Sequence, residues 1–221
     1  MKTISGLFLL ALLVLIGSCV KDPFADSDSG TFKDSRDNQV YSWVRISEQI
    51  WMAENLAWLP AVSPSSALSE TAALYYVYDY EGSSVTEAKA AVNYSSYGAL
   101  YNWKAAIAAC PSGWRLPSDA EWTVLTDFLG GINVAGKKLK SISGWNSNGS
   151  GDNTSGFNAQ PAGANDHKYG FVTLSYIAAF SSATENSAST AWYRGLIYSG
   201  DKVNRNSTVK SDGYSVRCIK D

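Results

Sequence analysis

Apolar and polar residues alternate over Thr31–Asp34 and again over Gln39–Ile46, with the polar tetrapeptide Ser35-Arg36-Asp37-Asn38 between the two runs. A period of two broken by turn formers predicts a β-hairpin, with Val40, Ser42, Val44 and Ile46 on one face. A turn at Ser47-Glu48-Gln49 leads into a third extended run, Ile50–Leu56. Residues 58–97 lose the period. They are rich in Ser, Ala and Tyr, contain Pro60 and Pro64, and read as a variable insertion with one short strand in Tyr75–Tyr80.

The period then changes. Tyr101–Ala109 is a run of helix formers that stops at Cys110-Pro111, because proline cannot continue a helix. Ser118 followed by Glu121 predicts a capping box. The helix it opens runs over Asp119–Leu129 and stops at Gly130-Gly131, with Trp122, Leu125, Phe128 and Leu129 at core spacing. Beyond it the chain is rich in Gly, Asn and Ser. Alternating runs return over Tyr169–Ala179, Trp192–Tyr198 and Tyr214–Ile219 and predict antiparallel strands. Two short helices and long loops around a mostly antiparallel sheet make an α+β domain.

Ahead of this domain stand Lys2, an apolar run of ten residues from Leu7 to Ile16, and the small residues Gly17-Ser18 before Cys19. That order describes a secretory signal peptide. The run is too short to cross a hydrocarbon core of ~30 Å as a helix. Ile16-Gly17-Ser18-Cys19 resembles a bacterial lipobox, which implies cleavage before Cys19 and a lipid on its thiol. The Lys21-Asp22 pair that follows is similar to the surface-export signal of Bacteroidetes lipoproteins. The expected organisation is a signal peptide over 1–18, a lipidated tether over 19–30 and one domain over 31–221. The expected location is the outer membrane or cell surface.

Composition removes several function classes. A net charge of −2 with 17% charged residues lacks the basic excess of a nucleic-acid binder. The 45% hydrophobic content is too high for a disordered chain. The single histidine, His167, rules out a multi-histidine metal site and leaves one candidate base. There is no Gly-x-Ser-x-Gly elbow to supply a nucleophile. His167 lies in Asn165-Asp166-His167-Lys168 and reads as an exposed loop histidine. Glu121 reads as the capping partner of Ser118. Asp26-x-Asp28-x-Gly30 lacks the third ligand and terminal glutamate of a calcium loop. No catalytic residue, metal site or cofactor is expected, although a structural calcium around Asp152 and Asn153 stays open. With Cys19 lipidated, Cys110 and Cys218 remain, and an even number in an oxidising compartment invites one disulfide. Two buried free thiols are the other reading.

Several segments are similar to the Fibrobacter succinogenes major paralogous domain of Bacteroidetes surface lipoproteins. They are Asp34-Ser35-Arg36-Asp37-x-Gln39-Val40-Tyr41, Trp51-Met52-Ala53-Glu54-Asn55-Leu56, Gly98-x-Leu100-Tyr101-Asn102-Trp103, Cys110–Trp122, Ser155–Gly163 and Gly213–Asp221. The capping-box helix and the closing Arg217-Cys218 strand also resemble formylglycine-generating-enzyme-like proteins, a branch of the C-type-lectin-like fold. That resemblance implies a C-type-lectin-like architecture. It also implies a bridge from Cys110, after the first helix, to Cys218 in the last strand. The catalytic cysteine pair of those enzymes has no counterpart, so their activity is not implied.

Trp192 to Ser207 combines aromatics, arginines, asparagines and serines, the residues adaptable binding surfaces use. Trp192, Tyr193, Arg194, Tyr198, Asn204, Arg205 and Asn206 are the candidate ligand residues. The competing reading makes Trp192 and Val203 core and the rest solvated turns. The expectation is a monomeric, lipid-anchored module that binds a protein or glycan without catalysis. The alternatives are a carbohydrate-active or modifying enzyme of the lectin-like branch, and a structural pilus-tip or matrix component. The anchor is directly testable. Cys19→Ala should abolish metabolic labelling of the protein by a fatty-acid analogue, and persistent labelling would refute lipidation at this residue.

Overall fold

A computed structural model of the chain describes Phe24 and residues 27–221. The residues read as a signal peptide, Cys19 and most of the segment read as a tether lie outside the described residues. The expected hairpin is present: β1 (Ser29–Lys33) pairs antiparallel with β2 (Val40–Ile46), Phe32 opposite Tyr41. β2 continues into β3 (Gln49–Met52), with Val44 opposite Trp51. The last strand, β12 (Ile219–Lys220), inserts between β3 and β6 (Trp114–Arg115) and completes a five-stranded sheet, β1-β2-β3-β12-β6. A second sheet holds β9 (Ile177–Glu185), β10 (Thr190–Ile197) and β11 (Val203–Val209), with β10 central. Two small pairs join them, β4 (Tyr75–Tyr76) with β5 (Leu100–Tyr101) and β7 (Ala164–Asp166) with β8 (Gly170–Val172).

The architecture is α+β, with more helix than the sequence predicts. The described residues form α1 (Val85–Ala90), α2 (Val92–Tyr97), α3 (Trp103–Ala109), α4 (Asp119–Phe128) and α5 (Ala135–Leu139). α1 and α2 fall in the segment read as an irregular insertion. They are six residues each; α1 buries Ala88 and α2 buries nothing, so neither carries an apolar stripe to detect. α3 starts two residues later than expected. Tyr101 belongs to β5, and Asn102 caps the helix by accepting from the Ala105 N–H at 3.0 Å. The region read as tether also contributes. β1 begins at Ser29, and the Phe24 ring packs 4.9 Å from Trp43.

The five-stranded sheet is covered on both faces, because alternate residues of β2 and β3 enter different cores. Tyr41, Trp43 and Met52 pack with Leu56, Leu59, Tyr101 and the alanines of α3. Ile46 and Trp51 pack with Trp122, Leu125, Phe157, Phe180 and Leu196. This corrects the facing expected for β2. Val40 is 51% exposed, whereas Tyr41 and Trp43 are 1% and 2% exposed. A strand buried on both sides gives no net period, and the large rings take the deeper face. Phe128 is a second correction. It lies one helical turn after the exposed Val124 and is itself 60% exposed, while Leu129 fills the core position. Trp51, Trp122, Phe157 and Phe180 meet ring to ring at 4.8 to 5.8 Å and form the centre of this second core.

Cys110, just after α3, is joined to Cys218, just before β12, with Cα atoms 5.9 Å apart. The bridge spans 108 residues of sequence. In the chain-entropy picture a loop of that size stabilises the fold by about 4 to 5 kcal/mol.

The capping box is complete. Ser118 Oγ accepts from the Glu121 N–H, and the Glu121 carboxylate accepts from the Ser118 N–H at 2.8 Å. Arg115 adds a two-pronged ion pair to the same carboxylate. Arg115 first, then the Ser118 bonds, hold Glu121 down from 4.5 to about 2 against the cost of burial. A depressed carboxylate contributes stability above its unfolded pKa and loses it as the pH falls through the folded one. The contribution is therefore present above pH 4.5 and disappears towards pH 2. Glu121→Gln should cost about 1 kcal/mol at neutral pH. It should also flatten the fall of melting temperature between pH 4.5 and 2. Calorimetry across that range checks both, and an equally steep fall in the variant would refute the assignment.

Candidate functional site

The late region does not present its predicted ligand residues as one surface. In the β10–β11 pair Trp192 faces Ser207, Tyr193 faces Asn206 and Arg194 faces Arg205. Alternation sends Trp192, Arg194 and Arg205 to one side and Tyr193, Asn204 and Asn206 to the other. Arg194 is 1% exposed and donates to Asp119 Oδ1 at 2.5 Å, to the Asp119 carbonyl at 3.0 Å and to Thr123 Oγ1 at 3.1 Å. It is a buried strut between β10 and α4, which corrects its reading as a ligand residue. Arg205 reaches the same carboxylate at 3.0 Å and lies 3.5 Å over the Trp192 ring. Burial opposes the Asp119 charge, yet the bonds from Arg205 and Arg194 hold its pKa below the usual carboxylate range. Tyr193 packs on Tyr214 and Tyr198 on Tyr176. Of the seven candidates only Arg205 and Asn206 are exposed.

A cavity lies elsewhere among the described residues. It holds about 380 Å3 between the segment after β3, helix α2 and the loop at 158–160. Tyr41, Glu54, Asn55, Tyr94, Asn158 and Gln160 line it together with Lys89. Its floor is built from below by Arg217. This guanidinium is fully buried and donates to Asn55 Oδ1 and the Asn158 carbonyl at 2.8 Å each, to the Met52 carbonyl at 3.2 Å and to the Phe157 carbonyl. Its plane lies 4.6 Å over Phe157. Burial lowers its pKa to about 9, which leaves it charged at neutral pH.

The walls are equally tied. Asn55 donates to the Tyr97 carbonyl at 2.9 Å and so joins the floor to α2. The Tyr94 hydroxyl donates to the Ala57 carbonyl at 2.7 Å, and burial pushes this phenol up to about 12. Tyr41 accepts from the Ala57 N–H at 3.0 Å, and burial raises it further. Gly98 ends α2 at φ +73°, where a Cβ would stand 2.7 Å from the Leu56 carbonyl. Only glycine lets the helix approach the floor this closely. The late-strand reading missed this site. Its polar residues sit inside otherwise apolar motifs, Glu54-Asn55 after Trp51-Met52-Ala53 and Asn158 after Phe157. Polar residues at those positions are the signal that could have marked it.

The remaining candidates serve the fold. His167 is half-buried, and its ring meets Asp212 at 2.8 Å, so it is not the exposed loop histidine expected. With Asp166 these two form a cluster whose ligand atoms lie within 4.8 Å of one another. Asp212 already accepts from the His167 N–H and from Thr208, and Asp166 accepts from the Lys168 and Tyr169 N–H groups. Asp152 accepts from Thr154, and the Asn153 side chain accepts from the Asn158 N–H at 2.7 Å. The oxygens read as calcium donors thus shape the loop that leads into the cavity.

The chain matches the Fibrobacter succinogenes major domain over residues 44–220 and belongs to that family. The match takes in the disulfide, the second core and the cavity apart from Gln39 and Tyr41 of its lining. No curated protein and no solved structure matches the chain.

The Asp119 clasp can be tested against the late strand. Asp119→Ala strands two arginines and should cost about 3 to 5 kcal/mol, as breaking a buried pair does. Asn206→Ala, on the outer side, should change stability by no more than ~0.5 kcal/mol. Denaturant unfolding of the two variants distinguishes them, and equal midpoints would refute the division of labour.

Proposed function

We propose that this protein is a lipid-anchored, surface-exposed binding module of C-type-lectin-like architecture that recognises a protein or glycan ligand and does not catalyse. The observation that carries the reading is the make-up of the cavity. It is lined by amides, hydroxyls and tyrosines with one carboxylate, Glu54, and its lining includes no histidine or cysteine. General acid–base chemistry draws on positioned groups of matched pKa, and glycoside cleavage on two facing carboxylates. The wall of this cavity offers recognition groups instead. Their rigidity favours binding, since side chains already fixed by Arg217 and by backbone bonds lose little entropy when a ligand arrives.

Two further features support the reading. The bridge from the end of α3 to the last strand is the one the lectin-like resemblance implies. The packing of Phe24 on Trp43 brings the fold close to the proposed anchor. Five residue steps separate Cys19 from Phe24, a reach of at most roughly 18 Å. In this proposal the module works as a monomer at the outer membrane or cell surface, without cofactor or nucleic acid.

Arrayed glycans and surface proteins, probed with the purified chain, test the proposal. At least one class should be retained specifically and recovered with unchanged mass. Conversion of a retained glycan would overturn the non-catalytic reading, and failure to retain any member would overturn the binding reading.

A further inference from the structure

We propose that the cavity over Asn55 and Asn158 is a subsite for one neutral sugar residue of a glycan, with Asn158, Gln160 and Glu54 as its hydrogen-bonding groups. This rests on the binding-module reading and assigns that module its site and ligand class. Three observations lead to it.

The first is the pattern of donors and acceptors. Gln160 Nε2 donates to Asn158 Oδ1 at 3.3 Å. That bond orients the pair so that the Asn158 amide N–H2 and the Gln160 carbonyl oxygen are left for a ligand. Glu54 uses Oε1 to accept from the Ser42 N–H at 2.9 Å, and Oε2 is its second acceptor. A neighbouring donor and acceptor pair, in a cavity that also holds a carboxylate oxygen, suits hydroxyl groups that donate and accept at once. A charged acceptor strengthens such a bond further.

The second is what the cavity disfavours. Its carboxylate repels an anion, while Lys89 in the same lining offsets the pull on a cation. A peptide laid in as an added strand would need free backbone groups. The floor has already used them. Ala53 N–H donates to the Ser42 carbonyl, Leu56 N–H to the Val216 carbonyl and Ala57 N–H to the Tyr41 hydroxyl.

The third is fit and rigidity. A cavity of about 380 Å3 lies at the small end of ligand pockets, which run from ~300 to ~1,000 Å3. Tyr94 and Tyr97 supply ring surface on the α2 side. The amides are held from beneath, because Arg217 bonds to Asn55 and to the backbone of Asn158. Asn158 itself sits at φ +56°, a conformation asparagine tolerates better than most residues.

Saturation-transfer NMR on the purified full chain tests this with free glucose, galactose, mannose, fucose and N-acetylglucosamine, and with neutral tripeptides as the competing class. At least one sugar should receive saturation. Gln160→Ala and Asn158→Gly should each weaken it about tenfold, the equivalent of ~1.4 kcal/mol. Asn158→Gly removes the amide while keeping a residue suited to positive φ, so its fold survives where alanine would strain the backbone. Unchanged thermal melting is the check on folding. Asn204→Ala with Asn206→Ala, on the late strand, should leave sugar binding intact. Sugar binding lost only in that late-strand variant would overturn the subsite while leaving the binding module standing. Saturation of tripeptides and not sugars would overturn the ligand class. Silence from both panels overturns the subsite, and the module falls with it only if the arrays also retain nothing.

Discussion

A positive charge buried without a carboxylate partner organises this molecule. Arg217 carries its guanidinium between the two cores and bonds to carbonyls and an amide from β3, the segment after it and the loop at 157–158. Desolvating such a charge costs several kcal/mol unless every N–H finds an acceptor. The burden is met by three carbonyls, one amide oxygen and the faces of Phe157 and Phe180. Its neighbour Cys218 is bridged to the end of α3. The closing segment is therefore tied to the rest of the fold by covalent, polar and sheet contacts within four residues. A lysine could not reproduce this, because its single ammonium lacks the planar fork that reaches acceptors on several sides.

The same device recurs where the chain has little regular structure. Buried carbonyls in loops need donors that no ladder supplies. Lys140, nearly fully buried, donates to the carbonyls of Gly149 at 2.7 Å and Gly200 at 3.0 Å, and fastens the 146–151 loop to the β10–β11 turn. Burial depresses its pKa, with Asp201 pulling the other way. Lys210 donates to the Ala188 carbonyl and Glu185 while lying 4.5 Å over Trp103. The long Gly-, Asn- and Ser-rich segments are ordered by buried cations in place of secondary structure. This explains why Arg194 and Lys210 of the late region belong to the fold.

The cavity inherits its form from this arrangement. Asn55 and Asn158 are the outer ends of the Arg217 network, and α2 closes over them because Gly98 permits a close approach. The β9–β11 sheet spends its two arginines on Asp119 and Tyr193 on the neighbouring Tyr214 ring. One end of the molecule thus uses polar side chains for cohesion and the other leaves several of them free.

Local physical signals in the sequence determined the β1–β2 hairpin, the capping box of α4 and the extended runs of β3 and β10. Each depends on residues only a few positions apart. The Cys110–Cys218 bridge was one of two readings that the cysteine count left open, and the one that the family resemblance implied. What the sequence could not determine was which face of a doubly covered strand takes the larger rings, as Tyr41 and Trp43 do over Val40. Nor could it determine that Arg194 turns inward to an aspartate 75 positions away or that Arg217 ends against Asn55, 162 positions away. A charged residue in an alternating strand reads as exposed until its partner is known. That partner is supplied by the packing of distant elements, and so the cavity, built from three such segments, was decided by the tertiary structure alone.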